Sequence, residues 1–386
     1  MRKVAIVTNQ IPDFRYPVFR RLMADPALQL RIFLSAPLAR SSANARAHLP
    51  LVASKTFRFR FTIHHREVDT VQHDEFGIPV ALWRDLLKFR PDAIVTGDYG
   101  LRSVLCLGVA RLLKIPVVLW SEETTYSARG RTRLQHWVRR FLSRRVDAFL
   151  AWGRPASDYV ESLGVERQRL YRCHQAVDNE FWMSRAATLN RTQERSTFGF
   201  DDKVFLLVGQ LIPRKGIVNF LDAWDRMPDE AKSVARAVIV GDGELAQMLR
   251  ELVTTRGLTN VTFVGPLPPT ELVRYYVAAD VFVFPSLEDV WGMVVNEALC
   301  CGLPVLASKF AGASQELVAG RNVGEIVDPT DIAAFSRHLC EWALRPPAIP
   351  INACRDVVAP LNAEESSNAI AGMLQSLLGS PRAAPA

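Results

Sequence analysis

Apolar positions along the chain fall into short unbroken runs separated by segments of helical period. In the first half the runs are Val4–Val7, Leu30–Leu34, Ala93–Val95, Val117–Leu119, Ala148–Leu150 and Leu170–Arg172. The intervening segments Val80–Phe89, Leu101–Leu113, Arg133–Ser143 and Pro155–Leu163 place apolar side chains at helical spacing. Strands that are apolar at every position suit a sheet covered on both faces. Their alternation with helices predicts an α/β, parallel, doubly wound sheet.

The segment Gln175 to Asp202 interrupts this pattern. It is polar, has no convincing strand, and reads as a linker with a capping turn. The alternation then restarts. Strands are expected at Val204–Val208, Ala237–Val240, Val261–Val264, Val281–Phe284, Pro304–Leu306 and Gly324–Val327. Helices are expected at Gly216–Asp225, Glu244–Thr254, Pro269–Ala278, Met293–Cys301 and Asp331–Ala343. The reading is two Rossmann-like domains in tandem, residues 1–176 and 177–360. A proline-rich break at Pro346, Pro347 and Pro350 precedes a last helix near Ala363–Leu378. Residues 361–386 are expected to form this helix and a tail frayed from Gly379 onward.

Composition narrows the class. The 386 residues are 49% hydrophobic and 23% charged, which suits folded domains and excludes a mainly disordered chain. No apolar run approaches the ~18 residues needed to cross a bilayer. The N-terminal run stops at Thr8-Asn9-Gln10, too soon for the core of a secretion signal. The six cysteines fit neither a zinc site nor a disulfide scaffold, so reduced, mostly buried thiols and a cytoplasmic location are expected. The net charge of +7 is unevenly spread, +14 over residues 1–176 and −7 over 177–386. The first half should therefore favour an anionic partner: a membrane surface, a phosphorylated carrier or nucleic acid.

In open parallel sheets ligands sit at the carboxyl ends of strands. Two such domains are expected to face each other across a cleft, which directs attention to the residues just after each strand. The most informative stretch is FPSLEDVWGMVVNEALCCGLPV, Phe284 to Val305. A strand ends, two acids follow (Glu288 and Asp289), and Gly292 opens a helix that carries Glu297. Unpaired backbone amides near Gly292, Met293 and Val294 can hold a phosphate. A carboxylate lower on that helix can accept hydrogen bonds from ribose hydroxyls. Acidic helix capping alone also accounts for Asp289.

These residues resemble the acid-x7-acid signature of retaining glycosyltransferases of the two-Rossmann-domain type (GT-B), family 4 or group 1. That signature reads roughly E-x-F-G-x-x-x-x-E-A-x-A-x-G-x-P-V. Here it is Asp289-Val290-Trp291-Gly292, then Glu297-Ala298, then Cys301-Gly302-Leu303-Pro304-Val305. Asp289 stands where the family usually has Glu, and Glu288 is the alternative. Gly209-Gln210-Leu211-Ile212-Pro213-Arg214-Lys215-Gly216 resembles the family's G-R-L-x-x-x-K-G segment, whose cations neutralise the donor diphosphate. Lys215 falls on the family's Lys. Gln210 replaces the usual Arg, so Arg214 is expected to supply the second charge. Gly241-Asp242-Gly243 and Gly265-Pro266-Leu267 resemble the next two strand-end turns, the second being the loop that touches the base. Glu316 and the segment from Gly324 to Pro329 also fall in register.

The first half resembles the family less. At Glu122, after the run Val117–Leu119, many members have a His that touches the donor sugar. An acid there either binds a hydroxyl or buttresses a turn. Asn9, Gln10 and Asp98 also follow strands. The family's glycine-rich first loop is replaced by Pro12-Asp13-Phe14-Arg15-Tyr16-Pro17, expected to shape the acceptor side.

Arg129 to Arg145 holds seven Arg and no acid. On a helix, Leu134, Trp137, Val138, Phe141 and Leu142 share one face, and Arg133, His136, Arg139, Arg140 and Arg144 the other. The apolar face is expected to pack on the sheet. The basic face suits an anionic membrane surface, or is simply solvated. Nucleic acid is not expected, since no groove-binding motif accompanies it. The seven His lack metal-ligand spacing, and the resemblance implies no metal and no cofactor beyond a nucleotide-diphosphate sugar as donor substrate.

The expected function is therefore a retaining, metal-independent glycosyltransferase. Its donor would be held by Gly209, Gln210, Arg214, Lys215, Gly241, Leu267, Gly292, Met293, Val294 and Glu297. Asp289 or Glu288, Arg214, Lys215 and Glu122 would serve the chemistry. The acceptor would be a glycan or a lipid-linked glycan, met at the inner face of a membrane. The rivals are a non-catalytic sugar-nucleotide-binding relative and a sugar-nucleotide epimerase of the same fold.

Overall fold

A computed structural model describes residues 1–38, 43–65, 70–78, 80–129 and 131–379. The chain divides into two compact units. Residues 1–177 with the C-terminal segment from Asn362 form one, and Asp178–Leu361 form the other.

The first unit is built on seven parallel strands: β1 (Arg2–Thr8), β2 (Leu28–Leu34), β3 (Leu51–Ala53), β6 (Ala93–Gly97), β7 (Val117–Ser121), β8 (Ala148–Trp152) and β9 (Leu170–Cys173). Their order is β3-β2-β1-β6-β7-β8-β9. An antiparallel hairpin, β4 (Phe57–His65) and β5 (Thr70–Ile78), stands apart from this sheet. Alternate residues of β1 go to opposite faces: Val4 and Ile6 to one core, Ala5 and Val7 to the other. Such two-sided burial is why Val4–Val7 carries no polar alternation, whereas β2 exposes Gln29 and Arg31. One face is covered by helices Tyr16–Met23 and Ala363–Gly379. The other is covered by Leu82–Phe89, Leu101–Leu113, Arg133–Arg145 and Arg154–Ser162.

The last helix therefore belongs to the first unit and not to a separate appendage. Ala363, Ile370, Met373 and Leu374 are buried against the first sheet, and Ser366 Oγ donates to the His174 carbonyl at 2.9 Å. Gly379 closes that helix, and the rest of the expected frayed tail lies outside the described residues.

The second unit has six parallel strands: β10 (Lys203–Val208), β11 (Ala235–Val240), β12 (Val261–Gly265), β13 (Val281–Phe284), β14 (Val305–Ser308) and β15 (Gly324–Val327). Their order is β12-β11-β10-β13-β14-β15. The order reverses direction beside β10, between β11 and β13, which is where ligands settle in such sheets. Phe205, Leu207, Ala237, Ile239, Val281 and Val283 build one core with Phe220, Trp224, Phe335 and Trp342 from the helices.

The expected linker before β10 is helical. Helices Asn179–Thr188 and Arg191–Phe198 start at Asp178 and Asn190, whose side chains cap Phe181 N and Gln193 N. The second stops at Gly199 in the left-handed conformation (φ 65°). A polar composition concealed them, because only Trp182, Ala186 and a few polar residues are buried. After the proline break, Ile351–Val358 is also helical.

Candidate functional site

In the second unit, two loops at the carboxyl ends of β10 and β13 are joined to each other. The Arg214 carbonyl accepts from Leu287 N at 2.8 Å, Glu288 N at 3.3 Å and Ser286 Oγ at 3.1 Å. Ser286 is fully buried and also donates toward the Glu288 carbonyl at 3.1 Å. The approach is so close that a Cβ on Gly216 would lie 2.0 Å from the Pro285 carbonyl oxygen. Gly216 has φ 65°, so glycine is required there on both counts.

This junction brings Lys215 and Asp289 together. The Lys215 ammonium is ion-paired and hydrogen-bonded to Asp289 Oδ2, with the Phe284 ring 5.5 Å away. Both side chains are largely buried, 17% and 14% exposed. Asp289 is held from its other side as well. Its Oδ1 accepts from Trp291 N at 3.3 Å, and its own amide donates to the Phe310 carbonyl at 3.3 Å. Glu288, the other candidate acid, is exposed. Arg214 is exposed too, with Nη1 3.4 Å from the Glu288 carbonyl oxygen.

Two residues beyond Trp291, helix Met293–Cys300 begins with Gly292 as its cap, at φ 99°. The amides of Met293 and Val294 open the helix and have no intrahelical acceptor, leaving them able to meet an anion. Glu297 lies one turn on. Its Oε2 accepts from the Tyr276 hydroxyl at 3.0 Å, and burial pushes its pKa up to about 7. Tyr276 itself packs edge-on to Trp182, with centroids 5.7 Å apart.

Gly209, Gly241 and Gly265 stand at the ends of three neighbouring strands. Gly209 N donates to the Val240 carbonyl at 3.0 Å, and Gly241 N to the Gly265 carbonyl at 2.9 Å. A Cβ on Gly241 would fall 1.9 Å from the Gly209 carbonyl oxygen, so the chain passes there without a side chain. Gln210 is exposed and Leu267 half-buried, both just beyond these strand ends. The sequence signature thus marks one edge of one sheet. Tyr276 and Ser286 escaped it, since nothing in the spacing singles out a helix Tyr or a Ser after a strand.

In the first unit, Glu122 follows β7. Its Oε1 accepts from Trp120 Nε1 at 2.7 Å and from Arg15 Nη2 at 2.6 Å. Arg15 is buried (3% exposed), with its guanidinium carbon 4.3 Å from the Trp120 ring centre and 3.9 Å from that of Trp152. A second buried arginine, Arg102, hydrogen-bonds Asn9, Asp98, Ser35 Oγ (2.6 Å) and the Gly97 carbonyl (2.9 Å). Asp98 sits in the left-handed region at φ 70°. The strand-end acids of this unit are therefore fixed by arginines from beneath.

The basic helix differs from expectation. Leu142 is buried, but Leu134 is 70% and Trp137 61% exposed. Arg139, assigned to the outer face, is buried instead, binding Glu123 at 2.6 and 2.9 Å. The acid at Glu123 turned this part of the helix toward the sheet and left the first turns outside. Among the described residues no helix is long and apolar enough to cross a membrane, and no group of three metal-ligating side chains occurs.

Two doubly wound parallel sheets in one chain define the GT-B class of fold. The whole chain shares it with HepE of Anabaena solved with UDP: TM-score 0.75, 17% identity, 98% of this chain and 100% of that one. It shares it likewise with the lipopolysaccharide outer core galactosyltransferase WaaB: TM-score 0.72, 14% identity, 97% and 99% covered. Residues 190–349, within the second unit, match the family described as glycosyl transferases group 1. Among curated proteins, sulfoquinovosyl transferase SQD2 of Arabidopsis thaliana is 29% identical over 240 residues, 59% of this chain. A GDP-mannose-dependent phosphatidylinositol monomannoside mannosyltransferase of Mycolicibacterium smegmatis is 32% identical over 155 residues, 38% of this chain. The matches span less than half of each relative's own length, 44% and 40%.

Proposed function

We propose that the chain is a retaining glycosyltransferase that moves a sugar from a nucleoside-diphosphate sugar to a glycan or lipid-linked acceptor, in cell-surface polysaccharide or glycolipid synthesis. The observation that carries this reading is the edge of the second sheet. A lysine follows β10 there, and an aspartate, a helix N-terminus and a half-buried glutamate follow its neighbour β13. Lys215, Arg214 and the amides of Met293 and Val294 supply positive charge where a diphosphate leaves. That charge does the work a divalent metal does in other transferases, so the reaction is read as metal-independent. Glu297 accepts from the ribose hydroxyls, and Asp289 from hydroxyls of the sugar. Retention is read as attack from the same face as departure, with no covalent intermediate on the protein. The first unit takes the acceptor, with Glu122 contributing to the chemistry. Its basic helix, with Leu134 and Trp137 exposed, favours a position on the inner face of an anionic membrane.

The test is thermal stability with UDP, GDP and ADP and with their sugar conjugates, since a ligand of the folded state raises the melting temperature. Binding followed by release of nucleoside diphosphate in the presence of glycan or lipid-linked acceptors is the expected result. Binding without release under any acceptor would make the chain a sugar-nucleotide sensor instead.

A further inference from the structure

The Lys215–Asp289 pair has a consequence for which nucleotide the site prefers, resting on the donor reading above. We propose that Asp289 is a specificity-determining residue that competes with the diphosphate for Lys215, so that the site prefers the nucleoside-diphosphate sugar over the free nucleoside diphosphate. Asp289 is pinned by Trp291 N and by its own amide on Phe310, whereas Lys215 ends a flexible stem over the Phe284 ring. The lysine is therefore the partner that can move. A diphosphate that draws Lys215 away leaves a largely buried carboxylate without its cation, and brings further negative charge beside it. Leaving a buried charge without its partner is costly. A sugar on the diphosphate changes the balance, because its hydroxyls give Asp289 new donors as the lysine leaves. The free nucleoside diphosphate offers no such replacement. Once the sugar has been transferred, Asp289 reclaims Lys215 and the product is loosened. Glu288 cannot do this, since it is exposed and the lysine lies on its neighbour.

The experiment compares dissociation constants by calorimetry for UDP against UDP-glucose, GDP against GDP-mannose and ADP against ADP-glucose, in the full chain. The pair that the wild type binds is then measured in Asp289→Asn, in Asp289→Ser and in Asp289→Glu. Asp289→Asn is expected to bind the nucleoside diphosphate at least ~5-fold more tightly while its hold on the sugar conjugate stays level or weakens. Asp289→Glu, which keeps the charge, is expected to stay near the wild-type preference. Asp289→Ser gives the same reading where the Asn variant does not fold. An unchanged preference in the neutral variants overturns the inference and leaves the donor site standing. No binding of any of the six compounds by the wild type overturns both.

Discussion

Arg15 lies beneath Trp120 and Trp152 and donates to Glu122 at 2.6 Å, a charged contact between a buried cation and a half-exposed acid (4% and 37% side-chain exposure). Desolvation lowers the Arg15 pKa, and Glu122 opposes that shift. Glu122→Ala would leave the guanidinium buried without its counter-charge. We expect a loss of about 2 kcal/mol or more in denaturant unfolding, at the low end for a buried pair because water reaches Glu122. Glu122→Gln keeps an acceptor for Trp120 and should lose less. Equal stability of Glu122→Ala and wild type would mean that the two indole faces and Gln175 Oε1, which accepts from Arg15 Nη2 at 3.5 Å, suffice for Arg15.

Lys215 and Arg214 differ in burial, and their variants should differ accordingly. Lys215→Ala removes a charge from a largely buried position and should lower turnover at least ~100-fold. Arg214→Ala removes an exposed one, so a smaller effect that shrinks in high salt is expected. Steady-state rates at two ionic strengths check both. A folded Lys215→Ala enzyme with wild-type turnover would remove this lysine from the reaction.

Much of this site was legible because its chemistry is tied to strand ends and glycines. The positions of Asp289, Gly292 and Glu297 follow from one strand-loop-helix pattern after β13 and that of Lys215 from a second one after β10, and the two stand side by side because those strands are neighbours. The twelve strands expected from apolar runs all occur, since continuous burial leaves a continuous signal. What stayed hidden depends on partners distant in sequence. Arg15 reads as part of a proline-rich loop until Trp120, Glu122 and Trp152 surround it. Arg139 reads as a solvated cation until Glu123 turns it inward. The hairpin β4–β5 was missed because Phe57, Phe59, Phe61 and Ile63 alternate with Arg58, Arg60 and Thr62, a period-two pattern that a search for continuous apolar runs passes over. The terminal helix gave its own bounds correctly but not its destination, because an amphipathic stripe does not say which sheet it covers.

Glu297 should make stability and nucleotide binding depend on pH. Burial raises its pKa to about 7 from an ordinary value of 4.5, so the folded chain holds a proton between these values that the unfolded chain has released. Stability from this group is therefore fully present below about pH 4.5 and is lost as pH rises through about 7, by ~3 kcal/mol in all. Glu297→Gln should flatten that part of the melting curve. Ribose hydroxyls donate best to the ionised carboxylate, so nucleotide affinity should rise over the same interval and binding near pH 6 should release protons. Calorimetry in buffers of different ionisation enthalpy reads that release. A variant whose melting temperature falls with pH just as steeply as wild type would assign the effect to another group.

The exposed start of the basic helix sets the last expectation. Leu134 and Trp137 project from a helix whose neighbours Arg133, Arg140 and Arg144 are also exposed, and Trp137 stacks on Phe141 at 5.5 Å. An apolar pair ringed by cations suits the boundary between headgroups and acyl chains. Each cation near an anionic surface is worth about 1 kcal/mol, and that attraction falls off within a Debye length. Partial burial of one indole adds about 2 kcal/mol that salt does not screen. The two contributions separate in a sedimentation assay with vesicles of phosphatidylcholine and phosphatidylglycerol. Arg133, Arg140 and Arg144 changed together to Glu should abolish binding at low salt, whereas Trp137→Ser should weaken it ~10-fold or more and leave its salt dependence unchanged. Neither should alter nucleotide affinity, because Lys215 and Glu297 belong to the other unit. Wild-type protein that ignores anionic vesicles at low salt would leave the pair for a protein partner, and full activity on a soluble, nonionic acceptor would agree with that outcome.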